Sequence, residues 1–313
     1  MKNIVLLNKL IKSSRRWSKK TKLSFFETLH RAFLEKKKQH IFGILDDLNV
    51  VPSAPEKVLT QEPNEKIVWV CWFQSLEQAP VLVKRCIESV IKNVGDARVI
   101  VLNDDNINDY INLPNYIVEK YQRGVISKAH YSDIVRCTLL AQYGGIWMDA
   151  TVYLTKQIPD HLFQLGFSSL RFNEGNVDEA ISKGYWTAYF LAARKNEPYI
   201  VLVRDLFYRY WHKYDSLIEY FLIDYALLFG IEKYELFQGL VDKQPIIGNK
   251  RFYIRQFIND PVSAEVIAKL NKDPVGIYKL SHKERYDGEK GSELTLYSQI
   301  LNDTFNVNLA SNK

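Results

Sequence analysis

The stretch from Ala129 to Thr151 constrains the fold more than any other part of the chain. A helix-period run from about Ser132 to Tyr143 is stopped by Gly144 and Gly145. It passes at once into Ile146, Trp147 and Met148, and the short apolar run ends on Asp149. A helix stopped by glycine and feeding directly into a buried strand is the repeating step of a parallel α/β sheet. Asp149 is thereby set at the carboxyl edge of its strand, the edge where open α/β sheets bind ligands.

The segments before it keep the same cadence. Residues 67–73 read as a buried strand, Pro80 opens a helix to about Asn93, and 98–102 read as a second strand ending in the polar loop Asn103–Asp104–Asp105. Strand, helix, strand at this spacing is a βαβ unit. Further on, 187–193 read as a strand, and 198–211 and 217–229 as amphipathic helices. No GxGxxG follows the first strand and no GxxxxGK[ST] occurs, so the dinucleotide and P-loop readings lose their main support.

Charge divides the chain. Residues 1–40 hold twelve Lys/Arg against two Asp/Glu, a balance of +10, whereas 41–313 carry −4. Residues 1–48 read as two helices, with Leu7, Leu10, Ile11 and then Phe25, Phe26, Leu29, Phe33 at helical spacing and cations on the other faces. This arm is either a packed helical extension with a solvated basic face or an amphipathic anchor on an anionic membrane surface. Residues 49–65 form a proline-punctuated linker. The expected division is 1–60, basic extension and linker, and 61–313, catalytic domain. A nucleic-acid partner is not expected, because the basic run has no interleaved aromatics and no recognised binding motif accompanies it. Cys71, Cys86 and Cys137 are few, odd in number and without metal spacing, so free buried thiols are expected. With no signal peptide and no stretch long enough to span a bilayer, the expected location is cytoplasmic, peripheral at the inner face of the plasma membrane.

The chemistry-bearing residues cluster in the central stretch. Asp133 and Arg136, three apart on one helix, share a face and can hold each other while offering hydrogen bonds to hydroxyls. The bland alternative is that Ser132 or Asp133 caps the helix and Arg136 is a local partner. Gly144 and Gly145 permit positive φ and close backbone approach, which a tight turn and a ligand site both require. A carboxylate at Asp149 can hold Mg²⁺ or Mn²⁺ against a diphosphate, since hard cations take carboxylate and phosphate oxygens.

S-D-x-x-R at Ser132, Asp133 and Arg136, then L-x-x-x-G-G-x-x-x-D from Leu140 to Asp149, resembles the donor-site core of GT-A glycosyltransferases with a DXD motif. Those include yeast-type initiating mannosyltransferases and the glucosyltransferase domains of large clostridial toxins. The fuller wording AHYSDIVRCTLLAQYGGIWMDATVYLT is similar to the bacterial capsular polysaccharide synthesis proteins. The likeness runs over about 66–225, with an echo at 277–283. It implies a GT-A-like, Rossmann-type, mostly parallel sheet flanked by helices. It also implies transfer of a hexose from a UDP-sugar to an undecaprenyl-diphosphate-linked saccharide, with retention of configuration. Galactose is favoured over glucose because Ala150, which strand alternation turns away from Asp149 and Thr151 and sets close to the sugar ring, has a methyl group that leaves room for an axial 4-hydroxyl. By the same likeness Asp133, Arg136 and Ser132 face the donor sugar, Trp72 and Gln74 lie beside the uridine, and Gly145 and Ala150 line the donor. Lys283 approaches the diphosphate, and Asp149, Thr151 and His282 are the candidate ligands of Mn²⁺ or Mg²⁺. The motif departs at its third position, where Thr151 replaces Asp. A hydroxyl is a weaker ligand than a carboxylate, and this departure motivates the rival reading of a non-catalytic nucleotide-sugar-binding protein.

Overall fold

The structure, a computed structural model, describes residues 2–53, 65–175, 177 and 179–306. Most of the expected linker, and with it the boundary at 60/61, lies outside the described residues. The elements that build the core are α1 (Lys2–Thr21), α2 (Ser24–Asp46), β1 (Ile67–Cys71), α3 (Val81–Asn93), β2 (Arg98–Leu102), α4 (Asn115–Gln122) and α5 (Lys128–Tyr143). They continue with β3 (Gly145–Asp149), β4 (Val152–Leu154), β5 (Phe167–Ser169), β6 (Phe190–Ala193), α6 (Pro198–Lys213), α7 (Leu222–Lys233) and β7 (Ile277–Lys279).

Five strands form one sheet in the order β2-β1-β3-β6-β5. β1 pairs in parallel with β2 and with β3, β6 is antiparallel to β3, and β5 is antiparallel to β6. Four of the five strands therefore point the same way, giving the mostly parallel, helix-flanked α/β sheet expected from the sequence. β1 reads Ile-Val-Trp-Val-Cys, with its first four residues buried, as a strand covered on both faces must be. Alternation divides its side chains. Val68 and Val70 join Ile146, Met148 and the α3 residues Val83, Ile87 and Val90, while Trp69 and Trp147 join Ile134, Val135 and the α6 residues on the opposite face.

Two boundaries differ from the sequence reading. Helix α5 begins at Lys128 rather than Ser132, because Ser127 caps it by accepting the His130 N–H at 3.3 Å. Ser132 and Asp133 thus lie inside the helix, which removes the capping explanation for them. Strand β6 is shorter than 187–193, since Thr187 and Phe190 close a tight turn ahead of it. The glycine pair serves the sheet. Gly145 has φ +96°, and a Cβ there would lie 2.4 Å from the Ile67 carbonyl oxygen of β1. Close strand approach therefore requires it.

The basic arm folds back on itself as a hairpin of α1 and α2, with His30 buried against the Ser14 hydroxyl at 3.2 Å. Ile41, Leu45 and Leu48 enter the main core beside α7. A nearly buried ion pair, Lys37 to Glu219 at 2.5 Å, and Lys38 to Glu232 at 3.0 Å, fasten the same face. Leu7 is buried and Leu10 and Ile11 half-buried, as periodicity implied, but Phe25 is exposed.

Candidate active site

The parallel register of β1 and β3 sets Cys71 opposite Asp149, so both strands deliver their carboxyl ends to one edge of the sheet. A cavity of about 710 Å³ opens there. It is lined by Trp72, Phe73 and Gln74 from the loop after β1, by Ser132, Asp133 and Arg136 from α5, and by Asp149, Ala150 and Thr151 from the end of β3. His282 and Lys283 reach it from the chain after β7. The structure therefore brings together the expected residues from four distant stretches. It does not bring Gly145, which sits at the amino end of β3 and is absent from the lining. Ala150 lies in the turn after the strand, so strand alternation does not govern it, and it shares the cavity with both of its neighbours.

At the centre is an ion-pair network. Arg136, with a side chain only 5% exposed, places Nη2 3.2 Å from Asp149 Oδ1 and 3.4 Å from Asp133 Oδ1. Its Nη1 donates to the Ala188 carbonyl, and the guanidinium lies 4.9 Å above the Trp147 ring. Asp149 Oδ1 also accepts from Trp147 Nε1 at 3.1 Å, and Oδ2 accepts from Lys279 Nζ at 2.7 Å. Burial works to raise the Asp149 pKa, but the charges of Lys279 and Arg136 and the hydrogen bonds from Lys279 and Trp147 outweigh it. The carboxyl is held well below the usual carboxylate range and stays ionised. Asp133 Oδ2 lies 3.5 Å from His130 Nδ1.

The walls are aromatic. Trp72 meets His282 edge to face at 5.2 Å, and its Nε1 is buried with no protein partner among the described residues. Phe73 leans on Tyr121 and Tyr131, which stack on each other at 3.8 Å. Burial lowers the His282 pKa, and Lys283 and Lys279 lower it further, so the imidazole stays neutral with a lone pair free to ligate.

Lys279 and Asp224 were not singled out in the sequence. Lys279 lay within the echo at 277–283, but only the antiparallel pairing of β4 with β7, which sets Lys279 opposite Val152, shows it beside Asp149. Asp224 lines the cavity from α7 and accepts from Trp186 Nε1 at 2.8 Å. Burial pushes its carboxyl up to about 6; the Trp186 hydrogen bond and Arg136 oppose this, while Asp133 adds to it. Nothing in the local sequence marks Asp224.

The capsular polysaccharide synthesis protein family matches residues 18–300. The chain belongs to that family. The match takes in α2 and every residue of the site. Two fungal proteins are similar over part of the chain. O-glycosyltransferase braB of Annulohypoxylon truncatum is 24% identical over 167 residues, 47% of this chain and 38% of that protein. The probable glycosyltransferase FCK3 of Fusarium pseudograminearum (strain CS3096) is 24% identical over 172 residues, 48% of this chain and 40% of that protein. The matched part thus spans about two fifths of these curated relatives. Among solved structures, PaToxG Glycosyltransferase aligns over 85% of this chain and 93% of its own at 16% identity and a TM-score of 0.39.

The donor set suits a shared rather than a caged metal ion. No group of three or more His, Cys, Asp or Glu that could hold a metal occurs among the described residues. The Asp149 carboxylate, the Thr151 hydroxyl and the neutral His282 ring line one cavity, an oxygen-and-imidazole set. It fits Mg²⁺ or Mn²⁺ that takes its remaining ligands from a diphosphate and water.

Proposed function

We propose that this member of the family transfers a hexose from a UDP-sugar, UDP-galactose ahead of UDP-glucose, to a saccharide carried on undecaprenyl diphosphate. The observation that carries the reading is the network of Asp133, Arg136, Asp149 and Lys279 at the carboxyl ends of β1 and β3. It provides two carboxylates for sugar hydroxyls or a cation, held in place by the buried Arg136, beside the Lys279 ammonium for phosphate oxygens. In this reading Trp72 and Gln74 flank the uridine, with the orphan Trp72 Nε1 as a ready donor. Asp133, with Ser132, holds donor hydroxyls, and Arg136 positions both carboxylates from its buried seat. Lys279 and Lys283 bear on the diphosphate. Asp149, with Thr151 and His282, would hold a divalent cation, and that cation would supply charge stabilisation of the departing UDP. Retention of the donor's anomeric configuration rests on the family resemblance alone. Tyr220 and Phe221, exposed at the rim, offer rings on which an acceptor saccharide can stack.

The arm supports a site of action at a membrane surface. No helix of the described residues is long and apolar enough to cross a bilayer. At the turn of the α1–α2 hairpin, however, Trp17, Leu23 and Phe25 are 45%, 57% and 67% exposed. Lys19, Lys20 and Lys22 surround them. Apolar rings beside cations suit the headgroup boundary of an anionic leaflet at the cytoplasmic face.

The test is a screen of nucleotide sugars for UDP release with and without Mn²⁺. Release from a UDP-hexose supports the transferase. Tight UDP-sugar binding without release, even with added lipid-linked saccharide, supports the rival non-catalytic binder that Thr151 motivates.

A further inference from the structure

Lys279 stands where an incoming cation must go. Its ammonium lies 2.7 Å from Asp149 Oδ2, while Oδ1 is shared by Arg136 and Trp147, so both oxygens of this carboxylate already have partners. The position is built, not incidental. β7 pairs with β4 in a register that sets Lys279 opposite Val152, and the Leu280 N–H donates to the Thr151 carbonyl at 2.9 Å, tying Lys279 to the turn that carries Asp149 and Thr151. The Tyr189 ring lies 4.9 Å from the ammonium, and only 20% of the side chain is exposed.

The charges explain what such an arrangement does. Asp133 and Asp149 balance Arg136 and Lys279 within the four-residue network, while Lys128, Arg255 and Lys283 bring further cations to the cavity lining and Asp224 a carboxyl. A dication entering alone would add two positive charges to a lining already rich in cations. A diphosphate arriving with it would offset them. At short range in a partly desolvated site, unbalanced charges of this size are strongly disfavoured.

We propose that Lys279 is an exchangeable counter-ion that bars divalent metal from Asp149 until a nucleoside diphosphate arrives. On arrival the ammonium leaves Asp149 Oδ2 for a phosphate oxygen, and the freed carboxylate oxygen becomes the metal ligand. No bond other than these ion pairs and hydrogen bonds is made or broken. Metal and diphosphate then bind with mutual dependence, each raising the affinity of the other by the same factor. Side-chain length allows the exchange, since the Lys stem is flexible and its head a compact point charge. The proposal rests on the reading of Asp149 as the metal carboxylate.

The test is calorimetric titration of Mn²⁺ into the full chain, alone and with saturating UDP, for wild type, Lys279→Met and Lys279→Arg. The expected result is that wild type binds Mn²⁺ at least about tenfold more tightly with UDP than without it, about 1.4 kcal/mol of coupling. Lys279→Met, which keeps the apolar stem but loses the charge, should bind Mn²⁺ alone at least about tenfold more tightly than wild type. Lys279→Arg, which keeps the positive charge, should bind Mn²⁺ alone no more tightly than wild type, and circular dichroism of the Met variant checks its fold. Equal affinity of wild type and Lys279→Met for Mn²⁺ alone overturns the proposal and leaves the nucleotide site intact if UDP still binds. Absence of Mn²⁺ binding in every arm overturns it together with the metal role of Asp149. Absence of both Mn²⁺ and UDP binding removes the proposed function itself.

Discussion

Asp224 and Ala150 test the cavity at the scale of single side chains. Because burial raises the Asp224 pKa to about 6, the sign of its linkage is opposite to that of a salt-bridged carboxylate. The folded state favours the protonated form, so stability falls as pH rises from the unfolded carboxylate value near 4 to about 6. Beyond that it levels off. Asp224→Asn, which keeps the Trp186 hydrogen bond acceptor, should flatten this dependence, removing a penalty on the order of 2 to 3 kcal/mol at pH 7. Thermal melts of both proteins between pH 4 and 8 check it, and parallel curves would show that Asp224 ionises as freely as it does in the unfolded chain. Ala150 is 6% exposed in the turn between Asp149 and Thr151. A methyl group there leaves room for an axial 4-hydroxyl, and a steric wall is worth about 1–3 kcal/mol of discrimination. Ala150→Thr should therefore lower the ratio of kcat/KM for UDP-galactose over UDP-glucose; an unchanged ratio would mean that this wall does not read the sugar.

At the scale of elements, the sequence made some features plain and hid others for identifiable reasons. β1, β2 and β3 were legible because continuous Val/Ile/Trp runs bounded by polar loops admit few alternatives. The start of α5 was misplaced because Ser132 and Asp133 have the composition of a cap, whereas the actual cap is Ser127 one turn earlier. The direction of β6 was not legible, since an apolar run reads the same in either sense. Lys279 was missed for a related reason: its approach to Asp149 depends on the β4–β7 register between segments far apart in the chain. That Asp133, Arg136 and Asp149 share one cavity was legible because helix spacing and a glycine stop act locally. The α1–α2 hairpin was legible as two helices, but periodicity left open whether Phe25 on the apolar face packs on the body or meets a membrane, and the structure leaves it exposed. That exposure yields a prediction. Replacing Trp17, Leu23 and Phe25 together by Ser should weaken sedimentation with phosphatidylglycerol vesicles by at least about tenfold, because each loses apolar area at the headgroup boundary. The folded body, anchored through Ile41 and Leu45, should melt within a few degrees of wild type. Equal sedimentation of the two proteins would remove the hairpin turn as the membrane contact.

At the scale of the whole molecule, a helix-covered sheet delivers two strand ends to one edge, and β7 with the chain after it closes that edge with Lys279, His282 and Lys283. In the function proposed, the acidic body would hold the donor in the cavity and the basic arm would supply a surface for the acceptor's membrane. Everything proposed for the cavity depends on Asp149 belonging to a working transfer site. The direct measurement is UDP release from UDP-galactose and UDP-glucose, with Mn²⁺ present, by wild type and by Asp149→Asn of verified circular dichroism. Wild type should release UDP from at least one donor, and the variant should lose about a hundredfold or more, as expected when charge stabilisation of a leaving group is removed. Undiminished turnover by folded Asp149→Asn would contradict it.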